Sequence, residues 1–90
     1  MKTYVIERDL PGVGGMDAQA AKGAAAKSNE ALDALAPRVT WKHSYVTADK
    51  TFCIYEAEDE AAIHEHARLS GFPASVVTEV TGMLTPQDGR

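Results

Sequence analysis

Apolar and polar positions alternate from the start of the chain, where Lys2 to Arg8 reads KTYVIER with Tyr4 and Ile6 on one side and Val5, between Thr3 and Glu7, on the other. That period of two predicts a half-buried strand. Pro11, Gly12, Gly14 and Gly15 interrupt it, because proline lacks a backbone donor and glycine favours turns. After Asp17, an N-cap candidate, the period becomes helical, with Met16 placed to staple against Ala21. From Ala18 to Ala36 a stripe of Ala21, Ala24, Ser28, Ala31, Leu32 and Leu35 is narrow enough to let the helix lie close on a sheet, and Pro37 ends it.

Val39 to Val46 alternates again, which places Val39, Trp41, His43 and Tyr45 on one face and Thr40, Lys42 and Ser44 on the other. Ala48, Asp49 and Lys50 form a polar turn whose register the sequence leaves open, and Thr51 to Ala57 returns as the second arm of a hairpin. Asp59 caps a second helix over Glu60–Ser70, Gly71 stops it, and Val76 to Leu84 forms the last strand. The order βαββαβ predicts an α+β, ferredoxin-like sandwich, an antiparallel sheet with two helices on one face. Residues 1–85 make one domain and 86–90 a frayed polar tail. The face that two helices leave uncovered carries apolar groups from among Trp41, Tyr45, Phe52, Ile54, Val77 and Val80. A homodimer closing into an α/β barrel is the economical way to bury them.

Composition narrows the function. A net charge of -4, with lysines and arginines scattered, argues against a nucleic-acid partner. Acidity raises the prior for a cation only slightly. The single cysteine, Cys53, forms no internal disulfide and holds no iron–sulfur cluster, which needs about four ligands. No apolar run approaches the ~20 residues of a membrane span, so the expectation is a cytoplasmic protein without a membrane partner.

The Gly12-Val13-Gly14-Gly15 loop lacks the third glycine of a dinucleotide fingerprint and has no phosphate-loop lysine, and it reads as a plain turn. The histidines carry more. His64 and His66 are two apart on a helix and point ~200° apart, so an undistorted helix cannot chelate one ion with both. His66 shares the inward stripe of Ile63, Ala67 and Ser70, whereas His64 lies between Glu60 and Arg68 on the polar side, where Glu60 and His64 can share a surface metal or simply face solvent. His43 stands among aromatic residues, either as a hydrogen-bonded core residue or as part of a pocket with Cys53, Tyr55 and His66. Cys53 alone reads first as a small buried hydrophobe.

The stretches Tyr4 to Gly12, Trp41 to Val46, Cys53 to Ala57, Glu65-His66-Ala67 and Gly71-Phe72-Pro73 resemble a family of small bacterial proteins catalogued as nickel-binding or nickel-responsive, many otherwise known as domains of unknown function. The resemblance extends to about Val80. It implies a dimeric ferredoxin-like fold that binds Ni²⁺ at the dimer surface, a role in nickel sequestration or homeostasis, and no established reaction. His43 and His66 match the family pattern; His64 is not expected in every relative and is either a ligand or a local variation. Two readings follow: a metal-binding module using His43, His64, His66 and Glu60, and a cofactor-free small-molecule binder or enzyme with a pocket of His43, Cys53, Tyr55 and His66. The direction in which the histidines point separates them.

Overall fold

The computed structural model describes residues 1–90. Strand β1 spans Lys2–Asp9, helix α1 Ala18–Leu35, strands β2 and β3 Val39–Val46 and Lys50–Ala57, helix α2 Glu60–Ser70, and strand β4 Val76–Val80. The sheet order is β2-β3-β1-β4, with every neighbouring pair antiparallel. This is the α+β sandwich that the periodicity predicts, with α1 and α2 on one face. No helix is long and apolar enough to cross a membrane.

Local chemistry accounts for the element ends. The Asp17 carboxylate accepts from Ala20 N–H at 2.8 Å and starts α1, and the Asp59 carboxylate accepts from Ala62 N–H at 2.9 Å and starts α2. Gly71 closes α2 at φ 78°, a left-handed conformation in which a side chain would be strained. Thr47 and Lys50 bond to each other around Ala48 and Asp49, which resolves the hairpin register as Val46 opposite Thr51. Two ends differ from expectation. Strand β4 stops at Val80 instead of Leu84, and the tail folds into a turn of 3-10 helix over Pro86–Gly89, closed by reciprocal bonds between Thr85 and Asp88.

The core lies between the sheet and the helices, around Tyr4, Ile6, Tyr55, Ala57, Ala62 and Ile63. Burying a side chain such as Ile6 or Ile63 stabilises the fold by roughly 1.5–3 kcal/mol. Cross-strand register stacks Tyr4 on Tyr55 and Ile6 on Cys53, so the inward faces of β1 and β3 coincide.

The simple alternation expected for β2 fails at one residue. Trp41 pairs with Tyr55, but the next pair is His43 with Ile54, so Lys42 is an extra residue and the strand is bulged. The extra residue reverses every side chain after it. Val39 and Trp41 face the helices, Ser44 joins them, and His43 and Tyr45 turn to the open face. The indole Nε1 of Trp41 donates to Ser44 Oγ at 2.9 Å, a contact between residues three apart that a regular strand does not make. Trp41, opposite Tyr55, and Val77, opposite Ile6, also differ from the expected open face and pack against the core, while Val5, Phe52, Ile54 and Val80 form the apolar part of that face.

Candidate functional site

Two places bear on function: a cleft on the helix side of the sheet and the outer side of α2. The cleft, about 580 Å³, lies between the first half of α1, the loop after β1 and the inward faces of β1, β2 and β3. Small residues create it, because Ala21, Ala24 and Ala25 fill too little space to pack α1 against the sheet at this end, whereas Ala31 and Leu35 at the other end are buried in the core. The loop forms the opposite wall. It is pinned to the hairpin by Gly12 N–H donating to the Asp49 carboxylate at 2.9 Å and by Gly14 N–H donating to the Ala48 carbonyl at 3.0 Å. An added Cβ at Gly14 would lie 2.7 Å from the Thr47 carbonyl oxygen, so glycine is required by this approach.

Apolar residues line the cleft walls, and its floor is polar. Arg8 is 2% exposed, and its Nη1 donates to the Pro73 and Phe72 carbonyls at 2.9 and 3.3 Å while Nη2 has no partner. The guanidinium stands 5.7 Å from the centre of the Tyr55 ring, a cation–π contact. The Tyr55 hydroxyl and His66 Nε2 both meet Ser28 Oγ, at 3.3 and 3.1 Å. Burial pushes the Tyr55 hydroxyl up, against the opposing pull of Ser28 and Arg8. Burial first, and then the charge of Arg8, lowers His66 to about 4, so its imidazole is neutral near pH 7.

The structure brings Cys53 and Tyr55 to the cleft and sets His66 just behind Tyr55, with their rings 5.1 Å apart. His43 does not join them. The bulge puts it on the open face, exposed and edge-on to Tyr45 at 5.2 Å, so the predicted four-residue pocket loses a member. Nor do Cys53 and His66 form a nucleophilic pair, since the thiol donates to Thr51 Oγ1 at 3.6 Å and His66 turns to Ser28. In place of His43 the structure supplies Arg8 and Ser28, which sequence reasoning left out of the site. Both signals were present: alternation puts Arg8 on the same side as Tyr4 and Ile6, and Ser28 lies on the small-residue stripe of α1.

On α2, His64 Nε2 and Glu60 Oε2 are 3.2 Å apart and about half exposed, as their spacing of four predicts. Arg68 turns instead to Glu65, which holds the Glu65 carboxyl below its usual range. The three histidines thus occupy three regions: the open sheet face, the core and the outer helix surface. No group of three or more His, Cys, Asp or Glu side chains converges to hold a metal.

The fold and these sites define a small ferredoxin-like α+β protein with an open ligand-sized cleft and an exposed imidazole–carboxylate pair. The chain belongs to the family described as nickel responsive protein, SCO4226-like, whose model matches residues 4–80. The crystal structure of SCO4226 from Streptomyces coelicolor A3(2) matches with a TM-score of 0.75 at 13% identity, covering 91% of this chain and 99% of that one. At that identity the likeness shows the fold alone. No curated protein matches the chain.

Proposed function

We propose that this protein binds nickel through exposed half-sites that are completed by another copy of the chain, in a role of nickel sequestration or homeostasis. The observation that carries the reading is the His64–Glu60 pair, 3.2 Å apart and open to solvent, in a chain of a nickel-responsive family. Imidazole and carboxylate donors suit Ni²⁺, and also Zn²⁺ and Cu²⁺. The protein is proposed to be a homodimer through its open sheet face, where Val5, Phe52, Ile54 and Val80 are flanked by the ion pairs Lys50–Glu7 and Lys42–Glu56 at 3.6 and 3.3 Å. The α2 half-site lies on the opposite side of the sheet, so a metal shared between two such half-sites links dimers rather than closing one. His43 is the histidine that the dimer carries to its own interface.

Calorimetric titration with Ni²⁺ at pH 7.5, paired with sedimentation, tests this. Nickel binding and nickel-dependent association beyond the dimer are expected in the wild type, with association lost in His64→Ala and Glu60→Gln. Binding that persists after His43, His64 and His66 are all replaced, or no binding at all, defeats the reading. Coordination needs unprotonated imidazole, so affinity weakens on acidification.

A second reading, small-molecule binding, is favoured by one specific observation: an open cleft of about 580 Å³ with apolar walls and a buried polar floor, the size and lining of ordinary ligand sites.

A further inference from the structure

The bulge at Lys42 does more than turn His43 outward: it sets Ser44 on the cleft side of β2, beside Trp41. Bulges re-aim side chains in this way next to binding sites. Trp41 is fixed twice over, with its indole Nε1 donating to Ser44 Oγ at 2.9 Å and its ring stacked on Tyr55 with centroids 6.4 Å apart. An aromatic wall already held in place loses little further freedom when a ligand packs on it.

The polar groups beneath are turned to one another. Ser28 meets Tyr55 and His66, and Thr51 meets the thiol of Cys53. Arg8 is the one charged residue of the lining, but it is 2% exposed and donates to the Phe72 and Pro73 carbonyls. Its unpaired Nη2 has no contact with solvent and lies out of a ligand's reach. No Asp, Glu, Lys or His lines the cleft. An ion entering it would give up hydration and meet no accessible counter-charge, a cost that an uncharged molecule escapes. Ser44 stands apart from this floor. It is half-buried, and because its oxygen accepts from the indole, its hydroxyl hydrogen remains to donate.

We infer that the cleft binds an uncharged, largely apolar small molecule bearing a carbonyl-type acceptor, with its body against Trp41 and the alanines of α1 and its acceptor on the Ser44 hydroxyl. This inference rests on the small-ligand reading of the cleft and is independent of nickel. The walls decide the body of the ligand, since Leu10, Val13, Met16, Trp41, Val46 and Phe72 offer an aliphatic or aromatic group an apolar surface. The single available donor decides its polar end, because one hydroxyl satisfies one carbonyl oxygen and leaves a carboxylate short of partners.

Trp41 is the single tryptophan of the chain and lines the cleft, so its emission reports occupancy directly. The probes are two methyl ketones, 2-nonanone and 4-phenyl-2-butanone, each paired with the carboxylate of the same shape, octanoate and 3-phenylpropanoate. Saturable changes in Trp41 emission, confirmed by calorimetry at pH 7.5, are expected with both ketones, each binding about tenfold tighter than its carboxylate. Ser44→Ala should weaken ketone binding about fivefold, the worth of one neutral hydrogen bond, and Ser44→Thr, which keeps a hydroxyl, should retain it. A carboxylate that binds as tightly as its ketone overturns the assignment of an uncharged ligand and leaves the small-ligand reading standing. No response to any of the four probes at millimolar concentration overturns both. The ketone-to-carboxylate ratio is read on the wild type, so it does not depend on whether a variant folds; full ketone affinity in a folded Ser44→Ala overturns the role of Ser44.

Discussion

His66 makes the stability of this protein depend on pH in a direction that can be worked out in advance. Its imidazole is 1% exposed, bonded through Nε2 to Ser28 and left without a partner at Nδ1. Burial and the neighbouring Arg8 lower it from 6.5 to about 4. Between these values the unfolded chain binds a proton that the folded chain refuses, so stability falls as pH drops through the window and levels off below about 4. At ~1.36 kcal/mol per pH unit, the loss attributable to this one group is about 3 kcal/mol. That is a large part of the roughly 5–13 kcal/mol expected for a domain of this size. The replacement His66→Gln keeps an amide for Ser28 and has no proton to gain. Urea denaturation of both proteins from pH 7 to pH 4 isolates the histidine, because carboxylates that protonate in the same range cancel in the difference. Wild type should be the more stable protein at pH 7, with its advantage shrinking and then reversing as pH falls. A difference that stays flat over the range would refute the burial and charge argument, as would an His66 ring signal in NMR that titrates near its ordinary value.

On the outer side of the same helix, His64→Ala should change stability by no more than about 0.5 kcal/mol in thermal denaturation, since both partners of the pair face solvent; equal costs at His64 and His66 would contradict the observed phase of α2. Gly14→Ala should lower stability by about 1–3 kcal/mol, because its Cβ meets the Thr47 carbonyl at 2.7 Å and the Ala48 Cα at 2.8 Å, whereas Gly15→Ala meets nothing within 4 Å and serves as the control in the same melts. An unchanged melting temperature for Gly14→Ala would mean that the loop moves freely off the hairpin. Ile54→Asp, at the centre of the open sheet face, should shift sedimentation at micromolar concentration from dimer to monomer, and a wild type that remains monomeric at the highest concentrations removes the proposed interface.

Most of the fold was legible because its signals are local. Hydrophobic periods of two and of 3.6 located all six main elements, and Asp17, Asp59 and Gly71 marked helix ends through bonds to backbone a few residues away. The pairing of Glu60 with His64 was equally local, one turn of α2. The inward position of His66 followed from its stripe with Ile63 and Ser70. Membership of the family was visible in the same residues.

The tertiary structure decided what depends on distant neighbours. The bulge at Lys42 arises from how β2 is paired to β3, and no pattern within the strand announces it. That one extra residue moved His43 from the expected pocket to the open face and put Ser44 in its place beneath Trp41. The unpaired Nη2 of Arg8 likewise cannot be read along the chain, because it depends on which carbonyls, rings and carboxylates the fold brings near, here the Pro73 carbonyl and the Tyr55 ring but no acid. Backbone conformation and burial pattern are set by neighbours in sequence; the partner of a buried charge and the face of a residue beyond a bulge are set by neighbours in space.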